Sequence, residues 1–153
     1  MTEDRRIVRL RPKTDPRRIR WGFPWVYANE IVTDRRTRAL APGTIATLVD
    51  GAGEALATVA VNPNSKIFAR VLDRAADAVI DVSWIDGRLR RALDLRSKLF
   101  DSPYYRLVHA EGDGLPGVII DRFDDAVVIQ PNAYWAENAL DAFQISLTET
   151  LGV

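Results

Sequence analysis

The chain has 153 residues, 47% of them hydrophobic and 27% charged, with 21 Lys/Arg balanced by 21 Asp/Glu. That suffices for one ordinary domain or two small ones, each with its own core. The absence of cysteine excludes disulfides, thiolate metal sites and a cysteine nucleophile, and no apolar run approaches the ~20 residues of a membrane helix.

The start MTEDRRIVRLRPK is charged throughout, which argues against a secretory signal. Glu3 and Asp4 argue against a transit peptide, and a cytoplasmic protein is the expectation. The zero net charge hides a division. Residues 1–75 hold 14 Lys/Arg against 8 Asp/Glu, and residues 76–153 hold 7 against 13, giving halves of +6 and −6. Such a split predicts two modules with different partners, the first partner being polyanionic.

Along the chain, RIVRL alternates as a half-buried strand does. TDPRRIRWG offers Thr14 or Asp15 as a helix cap, Pro16 at the first helical position and Gly22 as a stop. PWVYANEI returns to strand-like alternation, and DRRTRALAPG reads as a basic loop. TIATLVD and EALATVAVN are strands joined through Gly51-Ala52-Gly53, a hairpin signal. SKIFARVLD is a further strand, with Ile67, Ala69 and Val71 on one face and Lys66, Phe68 and Arg70 on the other. Several short strands with one short helix predict a small barrel or half-barrel, ending near RAADAVID.

The second module opens on VSWIDGRLRRALDLRSKLF. Ile85, Leu89, Ala92, Leu93 and Leu99 follow helical spacing, and Ser83 with Asp86 resembles a capping box. Three strand-like runs follow, YRLVHAE, GVIIDRF and AVVIQ, as in a β-meander. Leu140, Phe143, Leu147 and Leu151 then trace one face of a helix reaching the chain end. The fold class is therefore α+β: a small barrel over residues 1–75, then a mixed α/β module over 76–153.

AEGDGLPGVIID contains Gly112-x-Gly114-x-x-Gly117, the spacing of a dinucleotide fingerprint. A phosphate cradle needs a helix after the glycines. Here a β-branched run follows, Pro116 lacks an N–H, and no acid stands ~20 residues on, near Ala133. Asp113-Gly114 reads instead as a hairpin turn. His109, the only histidine, lacks a second nitrogen ligand and reads as a strand residue satisfied by a neighbour. Asp121, Asp124 and Asp125 fit no standard calcium loop, and the serines lack a histidine arrangement that would activate one. No catalytic residue and no metal site are expected.

The basic module says more. Arg17, Arg18, Arg20, Arg35, Arg36 and Arg38 cluster in a short helix and a loop, with Lys66 and Arg70 on one strand. Arginine forks suit phosphates and stack on unpaired bases. Phe23, Trp25 and Tyr27 recur at period two and could stack bases, although a core role is favoured for Trp25. The expected RNA contacts are Arg17, Arg18, Arg20, Lys66 and Arg70. Charge reversal at Arg18 and Arg20 should weaken binding and flatten its salt dependence.

RRIRWGFPWVYANEI with VNPNSKIFARVL resembles the amino-terminal PUA-like domain of bacterial large-subunit ribosomal RNA cytosine-5 methyltransferases. YRLVHAEGDGLPGVIIDRF resembles the signature hairpin of that family's middle region. The resemblance runs over essentially the whole chain. Where many members carry histidine before Pro-Trp, this sequence has Phe23. The resemblance implies a PUA-like barrel, a small α/β middle domain, and in the parent enzyme a Rossmann-like domain binding S-adenosylmethionine. It implies ribosomal RNA as partner. Attack on C6 of cytosine to activate C5 calls for a cysteine, which this chain lacks. The expectation is an RNA-binding portion, inactive alone, that ends at Val153 within or just after the middle domain and positions RNA for a catalytic domain it does not contain. Two alternatives stay open: a protein-interaction or dimerisation module using the apolar stripe of the last helix, and a stand-alone S-adenosylmethionine enzyme.

Overall fold

The computed structural model describes residues 5–153; Glu3 and Asp4, which argue against a transit peptide, lie outside them. The chain divides into two compact units, one through Ala78 and one over Val79–Val153.

The first unit contains β1 (Arg6–Arg9), α1 (Arg17–Arg20), β2 (Trp25–Tyr27), a 3-10 turn at Ala28–Glu30, α2 (Arg35–Arg38), β3 (Thr44–Val49), β4 (Ala55–Val61) and β5 (Ile67–Asp73). The five strands form one sheet in the order β1-β3-β4-β5-β2. β1 runs parallel to β3 and the other pairs are antiparallel. A bridge between Leu10 and Ile31 joins the chain just past β2 back to the end of β1. It is flanked by Arg11 N–H to the Glu30 carbonyl at 2.8 Å and Val32 N–H to the Arg9 carbonyl at 2.9 Å. The sheet therefore curls onto itself as a small barrel. Its core holds Val8, Leu10, Val26, Ile31, Leu48, Val59 and Phe68.

Two expectations of side-chain direction are corrected. Phe68 and Ala69 both belong to the barrel core, because the register with β2 passes from Val26–Ala69 to Tyr27–Ile67 and leaves Phe68 as the extra residue of a bulge. Lys66 stands in the bend before β5 and shares no strand face with Arg70. The basic loop after β2 also contains a helical turn, α2, because the Asp34 carboxylate accepts the Thr37 N–H at 2.8 Å and caps it.

The second unit contains α3 (Val82–Leu99), β6 (Tyr104–His109), a 3-10 turn at Ala110–Asp113, β7 (Val118–Phe123), β8 (Ala126–Pro131), α4 (Tyr134–Asn138) and α5 (Leu140–Leu151). The strands form an antiparallel meander, β6-β7-β8. The cap of α3 is Asp81, which accepts the Trp84 N–H at 2.9 Å, rather than Ser83. The tight two-residue turn is Asp124-Asp125, between the paired Phe123 and Ala126, with Asp124 at φ 59°. Asp113-Gly114 instead ends the 3-10 turn, with Gly114 left-handed at φ 71°.

The apolar stripe of α5 is not a free surface. Phe143 and Leu147 are 0% and 2% exposed, and α5 packs on α3, whose Ile85, Leu89 and Ala92 are buried. The expectation that the stripe stands exposed is corrected accordingly: its central residues are already covered within the unit, while Leu140 and Leu151 at its ends are half-buried. Asp86 pins the helix pair: it accepts from Ser146 Oγ and Thr150 Oγ1, each at 3.0 Å, and from Arg90 Nε at 2.6 Å.

The Arg90 hydrogen bond, assisted by the two hydroxyls and opposed by burial, holds the Asp86 carboxyl below the usual aspartate value. A depressed folded pKa contributes stability above the unfolded value of ~3.9, and that contribution is lost as pH falls through the folded value. Urea midpoints measured from about pH 5 down to about pH 2 should therefore fall less steeply for Asp86→Asn than for the wild type. Parallel curves would mean that the carboxylate does not stabilise the helix pair through its charge.

Candidate nucleic-acid interface

The surface begins at α1. Pro16 supplies a fixed φ at the cap, the Asp15 carboxylate accepts the Arg17 N–H at 2.9 Å, and Ile19 is buried beneath the turn. With Ile19 anchored inward, Arg17, Arg18 and Arg20 fan out around the helix. Trp21, at the C-cap, is 77% exposed. Gly22 follows at φ 100°, and a Cβ there would stand 2.7 Å from Arg74 Nη2. The missing side chain lets the Arg74 guanidinium lie against the backbone leaving α1.

Beyond Gly22 the chain extends into β2, where Val26 points inward and is fully buried. Phe23, Trp25 and Tyr27 are half-buried. Trp25 is therefore not a core residue; the period-two pattern holds, but its inward member is Val26. Arginines partner these rings. Arg18 lies 4.4 Å from the Phe23 centroid and 5.9 Å from that of Tyr27, and the two rings are 6.5 Å apart. Arg70 pairs with Trp25 across the strands, 5.9 Å from its ring. Arg17 lies 5.8 Å from the Trp21 ring. Residues 17–27 thus build a ladder of arginines and aromatic faces, the chemistry that grips phosphates and stacks unpaired bases.

The five expected contacts are not equivalent. Arg17 is exposed and forks onto Asp15, its Nη2 at 2.8 Å from Oδ2. That hydrogen bond lowers the Asp15 pKa and raises that of Arg17. An exposed pair of this kind is weak and easily exchanged for a phosphate. Arg18 is committed: it donates to both Glu30 oxygens at 2.6 and 2.5 Å, while Glu30 also accepts the Tyr27 N–H at 3.0 Å. It clamps α1 to the 3-10 turn, so charge reversal at Arg18 would disturb the fold as well as any ligand. Arg20 turns to the β3–β4 hairpin, 3.7 Å from Asp50 and 3.4 Å from Glu54. Arg70 stays in the ladder. Lys66 is exposed, and its carbonyl accepts the Ala28 N–H at 2.9 Å, placing it beside the end of β2. Trp21 and Arg74 join this surface without having been expected there. The exposed tryptophan has a local signal, its place between a one-turn helix and a glycine; Arg74, 53 residues further along, has none.

The glycine loop, Asp113 and Asp121 are held by internal bonds. In the glycine loop the Gly114 and Leu115 amides bond the Glu111 and Ala110 carbonyls, and the Val118 amide bonds the Leu115 carbonyl. The Gly117 N–H donates to the Glu111 carboxylate at 3.1 Å, and Trp135 Nε1 donates to the Pro116 carbonyl at 2.8 Å. A loop whose amides are spent internally does not cradle phosphate. Asp113 receives both Arg96 Nη groups, at 2.5 and 2.8 Å, and the His109 N–H at 2.6 Å. Asp121 pairs across the strands with Arg106 at 2.9 Å. Among the described residues no group of three or more His, Asp or Glu side chains could hold a metal ion, and no helix is long and apolar enough to cross a membrane.

Residues 8–74 match the PUA-like domain family. The chain is 40% identical over 110 residues to the ribosomal RNA large subunit methyltransferase I of Pseudoalteromonas translucida, covering 70% of this chain and 27% of that protein. It is 33% identical over 147 residues to the protein of the same name from Alteromonas mediterranea, covering 94% of this chain and 36% of that one. The chain thus spans about a quarter to a third of the length of these curated relatives. A candidate SAM-dependent methyltransferase from Streptococcus mutans superposes with TM-score 0.78 at 15% identity, over 95% of this chain and 38% of that one. A second solved structure, a candidate methyltransferase complexed with SAH, gives TM-score 0.76 at 16% identity, over 95% of this chain and 37% of that one. At those identities the likeness shows the fold. In sequence the chain is similar to part of the ribosomal RNA large subunit methyltransferases, and residues 8–74 within its first unit match the PUA-like domain.

Proposed function

We propose that this chain is the RNA-gripping portion of an S-adenosylmethionine-dependent methyltransferase acting on cytosine C5 of large-subunit ribosomal RNA. The observation that carries the reading is the arginine–aromatic ladder from Arg17 to Tyr27 on a PUA-like unit of net positive charge. Phosphate contacts would set position, and stacking on Trp21, Phe23 and Trp25 would favour an unpaired segment. A cytoplasmic location follows from that substrate.

S-adenosylmethionine would supply the methyl group. The described residues do not fit it: the glycine-rich loop has its amides bonded internally, and no cysteine is present to attack C6. Methyl transfer is assigned to the part of the relatives that this chain does not span, and the second unit would serve as the structural link to it.

Fluorescence anisotropy with a labelled ribosomal RNA hairpin, at low and moderate salt, tests this. Binding that weakens steeply with salt is expected, at a slope of roughly −0.7 to −0.9 per phosphate contacted. Absence of binding at low salt would sink the reading.

A further inference from the structure

The first unit has a second basic feature that the ladder does not use. A groove of about 620 Å³ lies beside β1 and α2, walled by Arg6, Arg9 and Arg36 and floored by Ile7, Val32 and Leu40. Ile7 is 63% exposed although it sits in a strand. Arg5 also borders the groove but is committed elsewhere, donating to Thr58 Oγ1 and to the Ala76 and Ala78 carbonyls. The one carboxylate in the lining, Asp34, is occupied in capping α2. Arg6 and Arg36 are exposed, neither side chain makes a hydrogen bond or ion pair among the described residues, and the charge of Arg36 acts on the nearby Asp34 carboxylate from solvent-exposed positions.

Two guanidinium groups that no carboxylate bonds, over an apolar floor, suit a ligand with negative charge outside and a less polar body within. The volume matches a small-ligand pocket of ~300–1,000 Å³, large enough for a nucleotide. The groove and the ladder each send one arginine to the same hairpin, where Asp50 and Glu54 stand between them. Arg9 Nη1 reaches the Gly51 carbonyl at 3.4 Å, and Arg20 reaches Asp50 and Glu54 of the same hairpin from α1. Arginines from both sets thus meet at one hairpin within one unit.

We propose that this groove is a second RNA subsite, which takes the phosphate and ribose of single-stranded RNA leaving the ladder. Arg6 and Arg36 hold phosphate oxygens, and Ile7 and Leu40 cover the sugar. The proposal rests on the RNA-binding reading above, and it lengthens the RNA track from α1 to α2.

The test uses the full 153-residue chain and a fluorescein-labelled oligouridylate of about 16 nucleotides, the upper end of what one small binding fold covers. Arg6→Gln/Arg36→Gln should melt at the wild-type temperature, because neither side chain gives up a hydrogen bond. It should bind about tenfold more weakly, with a salt slope shallower by about 1.4, the change expected when two phosphates of a single strand are no longer neutralised. Wild-type affinity and slope in this variant, with Trp21→Ala weakened, would overturn the subsite and leave the ladder standing. No binding by the wild-type chain would overturn both. An oligoglutamate peptide that binds through Arg6 and Arg36 without displacing the RNA would also overturn it, assigning the groove to an acidic protein partner.

Discussion

Asp113→Ala lowers the stability of the second unit by about 3–5 kcal/mol, the cost of removing one partner from a buried ion pair. The Arg96 and Asp113 side chains are only 13% and 8% exposed, and the carboxylate meets the guanidinium through both oxygens. Alanine leaves that guanidinium without its counter-charge and removes the acceptor of the His109 amide. Replacing both partners, as Arg96→Met/Asp113→Leu, should recover much of the loss, since a desolvated pair can often be exchanged for apolar contacts at little net cost. Lys98→Ala is the control: its pair with Asp94 is solvated on both sides and contributes about 0.5 kcal/mol or less. Hydrogen exchange at Val118–Ile120 in β7 reads the change directly. A shift under about 1 kcal/mol for Asp113→Ala would show that water already screens the pair.

Trp21→Ala should weaken RNA binding by about 1–3 kcal/mol, the range for removing one base-stacking partner, with the melting temperature unchanged because the ring is 77% exposed. Its salt slope should match the wild type, since no charge is removed. Arg17→Gln/Arg74→Gln should do the reverse, flattening the slope by about 1.4 while keeping whatever preference stacking provides. Anisotropy titrations across salt separate the two. If Trp21→Ala and the double arginine variant both bound like the wild type, α1 and its exit would not be the RNA surface. Arg18 is kept intact in both variants because its double hydrogen bond to Glu30 would mix a loss of stability with a loss of affinity.

How far the sequence carries depends on the range of the interaction. The strands of both units, the long helix α3 and the loop's unsuitability for phosphate follow from local pattern: alternation, 3.6-residue spacing, a proline and β-branched residues after the glycines. Side-chain direction in the barrel does not follow. The register shifts between Val26 and Tyr27 and between Thr58 and Val59, and a bulge moves residues off the expected face without altering composition. The cap of α3 escapes the pattern because Ser83 and Asp86 imitate a capping box while Asp81 makes the bond. Asp86 is instead bonded by Ser146, 60 residues away. The partners of Arg18, Arg96 and Asp86 are set by tertiary packing, so a basic cluster can be read as a ligand site without showing which of its members the fold already occupies.

Gly22 limits how this sequence can drift. Any side chain at 22 would meet a left-handed backbone, costly for residues with a Cβ, and the guanidinium 2.7 Å away. The guanidinium is the end of a flexible side chain and can swing aside, whereas φ at 100° stays whatever stands at 74. The dependence between these two positions, 52 residues apart, therefore runs one way: position 74 is free to vary in inheritance, while position 22 stays glycine as long as the exit of α1 keeps its course.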